Sequence, residues 1–508
     1  MELARAVTKA LERLCAAGRV EVQEDGAWLA ALEGFRYEVR EQGEFVLLHL
    51  WSEQRSVVRR VLGLKDGNHG EPDEAAVPLA LDVERFGHKS ASRLEFTVPR
   101  SPRPAGRIAR EQFRERFRNL LAEQFPDEHV ASLTNAADLK HSLSGSYTRG
   151  TVEAGASTWA VMAAAPDETS ATLDAMLTFG LLWLDRVRQS ARRRAVTGLR
   201  LFFPAGAGRV TAHRLQALSP ATHVELYEYN QETWRARTVD ARDLGNVETW
   251  LAPWRDVESI LSAAGPQIEQ IRRLVPGPVE ADVIPGTSQV ALRFRGILFA
   301  RWDAGALFFG FGDPRVLLTP SCEGDLVALA RDLETHRSPL TTETKHPWYR
   351  AQPERWLQSL VTAEPTRVDP RLDPRFLYAQ VPAFSSGDRG IMDLVGVTRD
   401  GRLAVLELKA SEDIQLVMQG ADYWLRVRWH QAQQDFSRYG YFPGVTLDPR
   451  PPLLFFVAPS LHFHPSSDTL LGMLSAEIEI CRVGVSENWR RALRVVLRQD
   501  RAKSNSSK

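Results

Sequence analysis

The sequence predicts a multidomain α/β chain, and three observations carry that prediction. At 508 residues it exceeds what one hydrophobic core organises, which suggests three or four domains. Two aliphatic, β-branched runs, Ile391 to Val397 and Arg402 to Ala410, flank the turn signal Arg399-Asp400-Gly401; a proline-free helical run (Asp413 to Gln434) and an apolar strand (Leu453 to Val457) follow. A similar succession occurs earlier, at Trp159 to Met162, Phe179 to Trp183 and Leu199 to Phe203.

Patterning divides the chain into five stretches. Residues 1–105 start with a helix (Leu3 to Ala17) and continue as a β-rich module with strands such as Phe45 to Leu50 and Leu79 to Val83. A Gly/Asp/Glu-rich loop from Lys65 to Glu74 interrupts them, and Pro99 to Arg107 reads as a linker because Pro99, Pro102 and Pro104 restrict the backbone. Residues 106–252 form the first α/β segment. Residues 253–340 hold a helix (Val257 to Val275) and strands at Val290 to Phe294 and Ala306 to Gly310; 341–500 form the second α/β segment; 501–508 read as a disordered tail.

Composition narrows the function classes. Hydrophobic residues at 44% and charged residues at 25% are ordinary for a globular protein. No apolar run approaches the ~20 residues that span a bilayer, and Met1-Glu2-Leu3 does not open a secretory signal, so a cytoplasmic protein without a membrane partner is expected. Cys15, Cys322 and Cys481 lie far apart, which suits a reducing compartment. The formal net charge is zero, so nucleic-acid binding would rest on local patches. Arg100 to Arg118 holds seven arginines and Arg186 to Arg200 six. Arg389 precedes the first strand of the apolar hairpin, and Arg426 and Arg428 alternate with Trp424 and Trp429, a combination suited to phosphate contact and base stacking.

The apolar hairpin carries the chemistry. With a three-residue loop and Gly401 at positive φ, Thr398 pairs with Arg402 and Asp393 falls opposite Glu407. Cross-strand partners have Cβ atoms about 5 Å apart, so the two carboxylates share a face and suit one divalent cation. A two-residue loop would pair Asp393 with Leu408 and put the carboxylates on opposite faces. Lys409 joins the Glu407 face two residues on. It is one of eight lysines among 64 basic residues and the only one between Lys345 and Lys503. Phosphodiester hydrolysis uses these groups: a hard cation on carboxylates, and a cationic side chain to orient water and stabilise developing charge.

Asp393, the hairpin and Glu407-Leu408-Lys409 resemble the core motif of the PD-(D/E)XK nuclease superfamily. Gln419-Gly420-Ala421-Asp422-Tyr423 resembles the Gln-x-x-x-Tyr signature of its RecB-like branch. The resemblance covers about residues 345–490. It implies a restriction-endonuclease-like core, a mixed sheet flanked by helices, in the C-terminal domain. It also implies that Asp393, Glu407 and the Leu408 carbonyl hold Mg²⁺ or Mn²⁺, with Glu354 from an upstream helix as a further ligand. Lys409 would support the nucleophilic water, and Gln419 and Tyr423 would complete the catalytic set. The four-cysteine iron–sulfur cluster of some RecB-like nucleases is not expected from three scattered cysteines.

The first α/β segment reads as a degenerate copy of this module. Tyr147 to Glu153 resembles Gly387 to Asp393, setting Glu153 at Asp393; Trp159 to Met162 resembles Leu403 to Leu406, setting Ala163 at Glu407 and Ala165 at Lys409; Phe179 to Trp183 resembles Gln419 to Tyr423. The reading is therefore a metal-dependent nuclease acting on DNA, in repair or defence. The alternative is a non-catalytic nucleic-acid-binding or assembly scaffold built from two nuclease-like folds.

Overall fold

The computed structural model describes residues 2–501 except 18–19, 25–26, 32–35, 43–44, 52–55, 67–78, 85–90, 98–102, 139–140, 192–193, 243–248, 255, 312–314 and 386–387. Most of the loop read at 65–74, the first part of the linker at 99–107 and all but Arg501 of the tail lie outside these residues.

Among the described residues the chain is a mixed α/β protein with four sheets. The first stretch holds α1 (Glu2–Ala17), β1 (Glu21–Glu24), β2 (Ala27–Ala31), β3 (Arg36–Gln42), β4 (Phe45–Trp51), β5 (Ser56–Asp66), β6 (Leu79–Glu84) and β7 (Ala91–Thr97). The second holds α2 (Arg103–Gln124), β8 (His129–Thr134), β9 (Tyr147–Ala154), β10 (Ser157–Ala164), α3 (Ser170–Ser190), β11 (Ala195–Pro204), α4 (Arg209–Leu215), β12 (Val224–Tyr229), β13 (Ala236–Thr238) and β14 (Trp250–Leu251). The third holds α5 (Val257–Leu274), β15 (Glu280–Val283), β16 (Val290–Phe294), β17 (Ile297–Asp303), β18 (Ala306–Phe309), β19 (Val316–Leu317), α6 (Glu323–His336), α7 (Pro347–Arg350) and α8 (Pro353–Ala363). The fourth holds α9 (Pro365–Val368), β20 (Leu372–Ser385), β21 (Asp388–Thr398), β22 (Leu403–Leu408), α10 (Leu416–Ala432), α11 (Asp435–Arg438), β23 (Leu453–Pro459), α12 (Ser467–Met473), β24 (Glu479–Val485) and β25 (Val495–Arg501). No helix among the described residues is long and apolar enough to cross a membrane.

Two expectations at element ends change. Residues 103–107, read as linker, are the first turn of α2; Pro104 fits there because the first turn needs no donated N–H. Arg501, read as tail, closes β25 and donates to the carbonyls of Leu471 and Leu474.

The chain divides into two compact units, residues 1–101 with 256–359 and residues 102–255 with 360–508. The divisions at 101/102 and 255/256 stand near the borders read at 105/106 and 252/253, and the third, at 359/360 within α8, stands in place of 340/341. One unit therefore gathers the two β-rich stretches and the other the two α/β segments.

The α/β unit repeats one topology. In its first segment β8, β9 and β10 run antiparallel in turn, β10, β11 and β12 run parallel, and β13 closes antiparallel. In its second, β20, β21 and β22 run antiparallel, β22, β23 and β24 parallel, and β25 antiparallel. The helix pairs α3/α4 and α10/α12 make the crossovers that parallel neighbours require. The contacts between segments are reciprocal, α10 packing on α4 and α3 on α12. The Ser219 amide donates to the Met473 carbonyl at 2.8 Å, and the Ser475 amide to the Ala217 carbonyl at 2.8 Å. Such mutual donation across matched loops is the pattern of an isologous, two-fold interface, here within one chain.

Gly401 sets the register of the second hairpin. Its φ is +86°, and a Cβ there would lie 2.2 Å from the Thr446 carbonyl oxygen, so only glycine fits. The Thr398 amide donates to the Arg402 carbonyl at 2.8 Å and the Gly401 amide to the Thr398 carbonyl at 2.9 Å, closing a three-residue loop. Every residue of β22 is buried, so an apolar in/out alternation does not by itself choose the register; the turn does.

Candidate functional site

The β21–β22 ladder pairs Leu394 with Leu406 and Val397 with Leu403. One residue further along the same register, Asp393 stands opposite Glu407, as the three-residue loop requires. The ladder ends there, and the Leu408 amide turns to Asp393, donating to Oδ2 at 3.1 Å. Glu407 is only 1% exposed, and its Oε2 has no hydrogen-bond partner among the described residues. Lys409 Nζ lies 3.5 Å from Glu407 Oε1 and 3.4 Å from Asp413 Oδ2.

Electrostatics mark Glu407 as the uncompensated group. Burial first, and then the Asp393 charge, push its carboxyl well above the usual carboxylate range, against the pull of Lys409. A buried carboxylate in that state protonates, or requires positive charge beyond one ammonium at 3.5 Å. On α10, Tyr423 is pushed well above the ordinary phenol range by burial and then by Glu407 and Asp393, so its hydroxyl remains a donor. Gln419, one turn earlier on the helix, has a buried Oε1 without a partner among the described residues. Gly420 between them lets the helix lie against β23: a Cβ there would meet Phe456 Cε1 at 2.4 Å.

Asp393, Glu407, Lys409 and Tyr423 are thus brought together, with Gln419 on the same helix. Glu354 occupies the first turn of α8, half-buried, on the far side of the division at 359/360. Arg389 lies on β21, and its side chain is outside the described residues. Two expected nucleic-acid contacts are corrected. Arg426 is 2% exposed, donating to Asp422 Oδ2 at 3.1 Å and to the Ala383 carbonyl at 2.7 Å. Trp424 is 3% exposed and donates from Nε1 to the Pro452 carbonyl at 2.8 Å. Both face the core on a helix buried on most of its circumference. Arg428 is half-buried and donates to Gln431 Oε1 at 3.1 Å.

Two residues join the site that the sequence reading did not assign to it. Asp413 accepts from the Gln415 amide at 2.8 Å through Oδ1 while Oδ2 meets Lys409. Lys409 and Asp413 both lie in the connection between β22 and α10, outside any helix, so their four-residue spacing carried no helical-face signal. Gln380 stands across from Asp393 on β20, with Nε2 3.4 Å from Asp393 Oδ1. That placement depends on long-range strand pairing and has no local signal.

The residues facing a cation are tested by their chemistry. No group of three or more His, Cys, Asp or Glu side chains arranged to hold a metal occurs among the described residues. Mg²⁺ is typically held by one or two carboxylates and keeps several waters. Two opposed carboxylates, one with an orphaned buried oxygen, fit that mode.

The first α/β segment differs at each of these places. Gly180 packs on Leu199 and Leu201 as Gly420 packs on Leu454 and Phe456, which makes Leu201 the counterpart of Phe456. Met162 pairs with Leu201 and Glu407 with Phe456, so Met162 takes the place of Glu407 and Ala164 that of Lys409. Arg149 pairs with Met162 and thus takes the place of Asp393. This corrects the reading of Ala163, Ala165 and Glu153 at those positions. Glu153 pairs with Thr158 beside the turn and bridges Arg194 at 3.0 Å. Arg149 is buried, donates to the Ser144 carbonyl at 3.0 Å and to the Ala136 carbonyl, and lies over the Trp183 ring at 5.8 Å. The chain matches no family model and no curated protein.

Proposed function

We propose that the C-terminal α/β segment is a divalent-metal-dependent nuclease of the PD-(D/E)XK type and RecB-like branch, hydrolysing phosphodiester bonds of nucleic acid, DNA first, with Mg²⁺ or Mn²⁺. The observation that carries the reading is the register that opposes Asp393 to a fully buried Glu407 with one unpartnered oxygen, beside Lys409.

Asp393 and Glu407, with the Leu408 carbonyl, would hold the cation. When bound, such an ion neutralises a scissile phosphate and makes a water nucleophilic near neutral pH. The Leu408 amide fixes the Asp393 carboxylate. Lys409, held between Glu407 and Asp413, presents its ammonium to the attacking water and to charge developing on phosphate. Tyr423 keeps its proton and is a donor for a phosphate oxygen, while the Gln419 carbonyl oxygen is an acceptor awaiting one. Arg149, Met162 and Ala164 offer no cation ligands, so the first α/β segment is read as scaffold.

The test is cleavage of single- and double-stranded DNA in Mg²⁺ or Mn²⁺ by wild type, Glu407→Ala and Lys409→Ala. Activity lost by at least about 100-fold in both folded variants is expected. Equal activity in all three would place the chemistry elsewhere. No cleavage by any of them, on RNA as well as DNA, would favour the scaffold reading.

A further inference from the structure

We propose that Gln380 is a positioning residue for Asp393, held in a left-handed backbone so that its side-chain amide orients that carboxylate; this rests on the cation site proposed above. β20 and β21 keep one register around it, pairing Tyr378 with Val395, Ala379 with Leu394 and Val381 with Met392. Gln380, Asp393 and Glu407 therefore form a row across three adjacent strands. Gln380 Nε2 lies 3.4 Å from Asp393 Oδ1, and the Leu408 amide donates to Oδ2 at 3.1 Å. Both of these donors are neutral. A neutral amide orients the carboxylate without competing for its charge, as an arginine or lysine there would.

The backbone supplies the second observation. Gln380 has φ +55°, a region that glycine enters freely and that other residues rarely adopt. The topology does not demand it. In the first α/β segment the same ladder position is Thr134, which pairs with Arg149 in ordinary strand conformation. The left-handed residue thus occurs at this position in the segment that carries Asp393 and Glu407, and not in the one that carries Arg149. Conformations of this kind persist where surrounding structure over-determines them, and they concentrate at functional sites.

The experiment compares full-length wild type, Gln380→Gly, Gln380→Met and Asp393→Ala by Mn²⁺ titration calorimetry and by thermal unfolding in EDTA. Glycine relieves the backbone and methionine keeps the side-chain length without the amide. Gln380→Gly is expected to melt about 2 °C higher in EDTA. Both Gln380 variants are expected to bind Mn²⁺ about tenfold more weakly, the usual effect of removing a residue that orients a ligand. Mn²⁺ affinity within about twofold of wild type in either Gln380 variant overturns the positioning role and leaves the cation site standing. Absence of Mn²⁺ binding by wild type, or binding unchanged by Asp393→Ala, overturns both.

Discussion

Arg149 stands in the first α/β segment where Asp393 stands in the second, one opposite Met162 and the other opposite Glu407. A guanidinium there is held by carbonyls of the β8–β9 connection and by the Trp183 ring, which takes the place of Tyr423. In one segment a guanidinium occupies this strand position; in the other two carboxylates face each other there, with the Lys409 ammonium 3.5 Å from Glu407.

Arg149 is therefore expected to serve stability and not chemistry. Arg149→Met leaves two carbonyls without their donor and removes the ring contact, at a cost of about 2 to 4 kcal/mol. Urea unfolding measures this. Mn²⁺ affinity of the folded variant stays at the wild-type value. A variant as stable as wild type would show that the guanidinium does not hold that connection.

Glu407 makes the metal-free protein lose stability as pH rises. Its carboxyl is raised above the unfolded value by burial and then by Asp393, so the folded state binds the extra proton. The associated stability is fully present below the unfolded pKa and disappears as pH climbs through the folded one. In EDTA, the melting temperature should fall over that window in wild type and stay flatter in Glu407→Gln. Saturating Mn²⁺ should reverse the wild-type trend, since cation binding favours the ionised form. Parallel profiles for wild type and Glu407→Gln would remove Glu407 as the source.

Asp422 gives the opposite sign. Burial pushes its carboxyl up, but Arg426, Arg214 and His213 outweigh it and hold the group below its usual range. Its contribution is present above the unfolded pKa and lost as pH falls through the folded one. Arg426 and Asp422 sit on α10, and His213 Nε2 reaches Asp422 Oδ1 from α4 at 3.2 Å. Arg426→Met leaves a buried carboxylate short of its nearest cation and should cost about 3 kcal/mol or more by chemical denaturation. A loss of nucleic-acid affinity without that loss of stability would restore Arg426 to the ligand-contact role that its burial argues against.

Gly420→Ala tests how closely α10 must approach the sheet. Alanine gains up to about 1 kcal/mol of helix propensity, but the new methyl collides with the Phe456 ring, and overpacking typically costs about 1 to 3 kcal/mol. The expected result is a lower melting temperature together with weaker activity, because Gln419 and Tyr423 flank the displaced turn. A stabilised, fully active variant would mean that Phe456 moves aside freely.

The hairpin register was legible because its cause is local. Thr398, Gly401 and Arg402 all belong to one turn, and the positive φ demanded of Gly401 selects the longer loop. The alignment of the first α/β segment went astray for the converse reason. Its β9–β10 pairing joins Ala154 to Ser157 across two loop residues instead of three, so the carboxylate-bearing pattern slides along the chain. The likeness of Trp159-Ala160-Val161-Met162 to Leu403-Ala404-Val405-Leu406 holds one residue out of the structural register, and in a strand one residue exchanges the two faces. Gly180 on Leu201 and Gly420 on Phe456 are contacts across the fold, and they decide it.

By itself, then, the sequence determined the α/β class, the hairpin of Asp393 and Glu407 with the helix and strand that follow it, and the meeting of Asp393, Glu407 and Lys409, since each follows from periodicity and turn chemistry within a few tens of residues. Tertiary structure alone decided that Trp424 and Arg426 turn inward, that Arg149 takes the place of Asp393, and that Gln380 lies against Asp393 and Asp413 against Lys409. Those outcomes rest on which surfaces bury each other and on strand partners far apart in the chain, and burial is a property of the packed molecule that no local pattern carries.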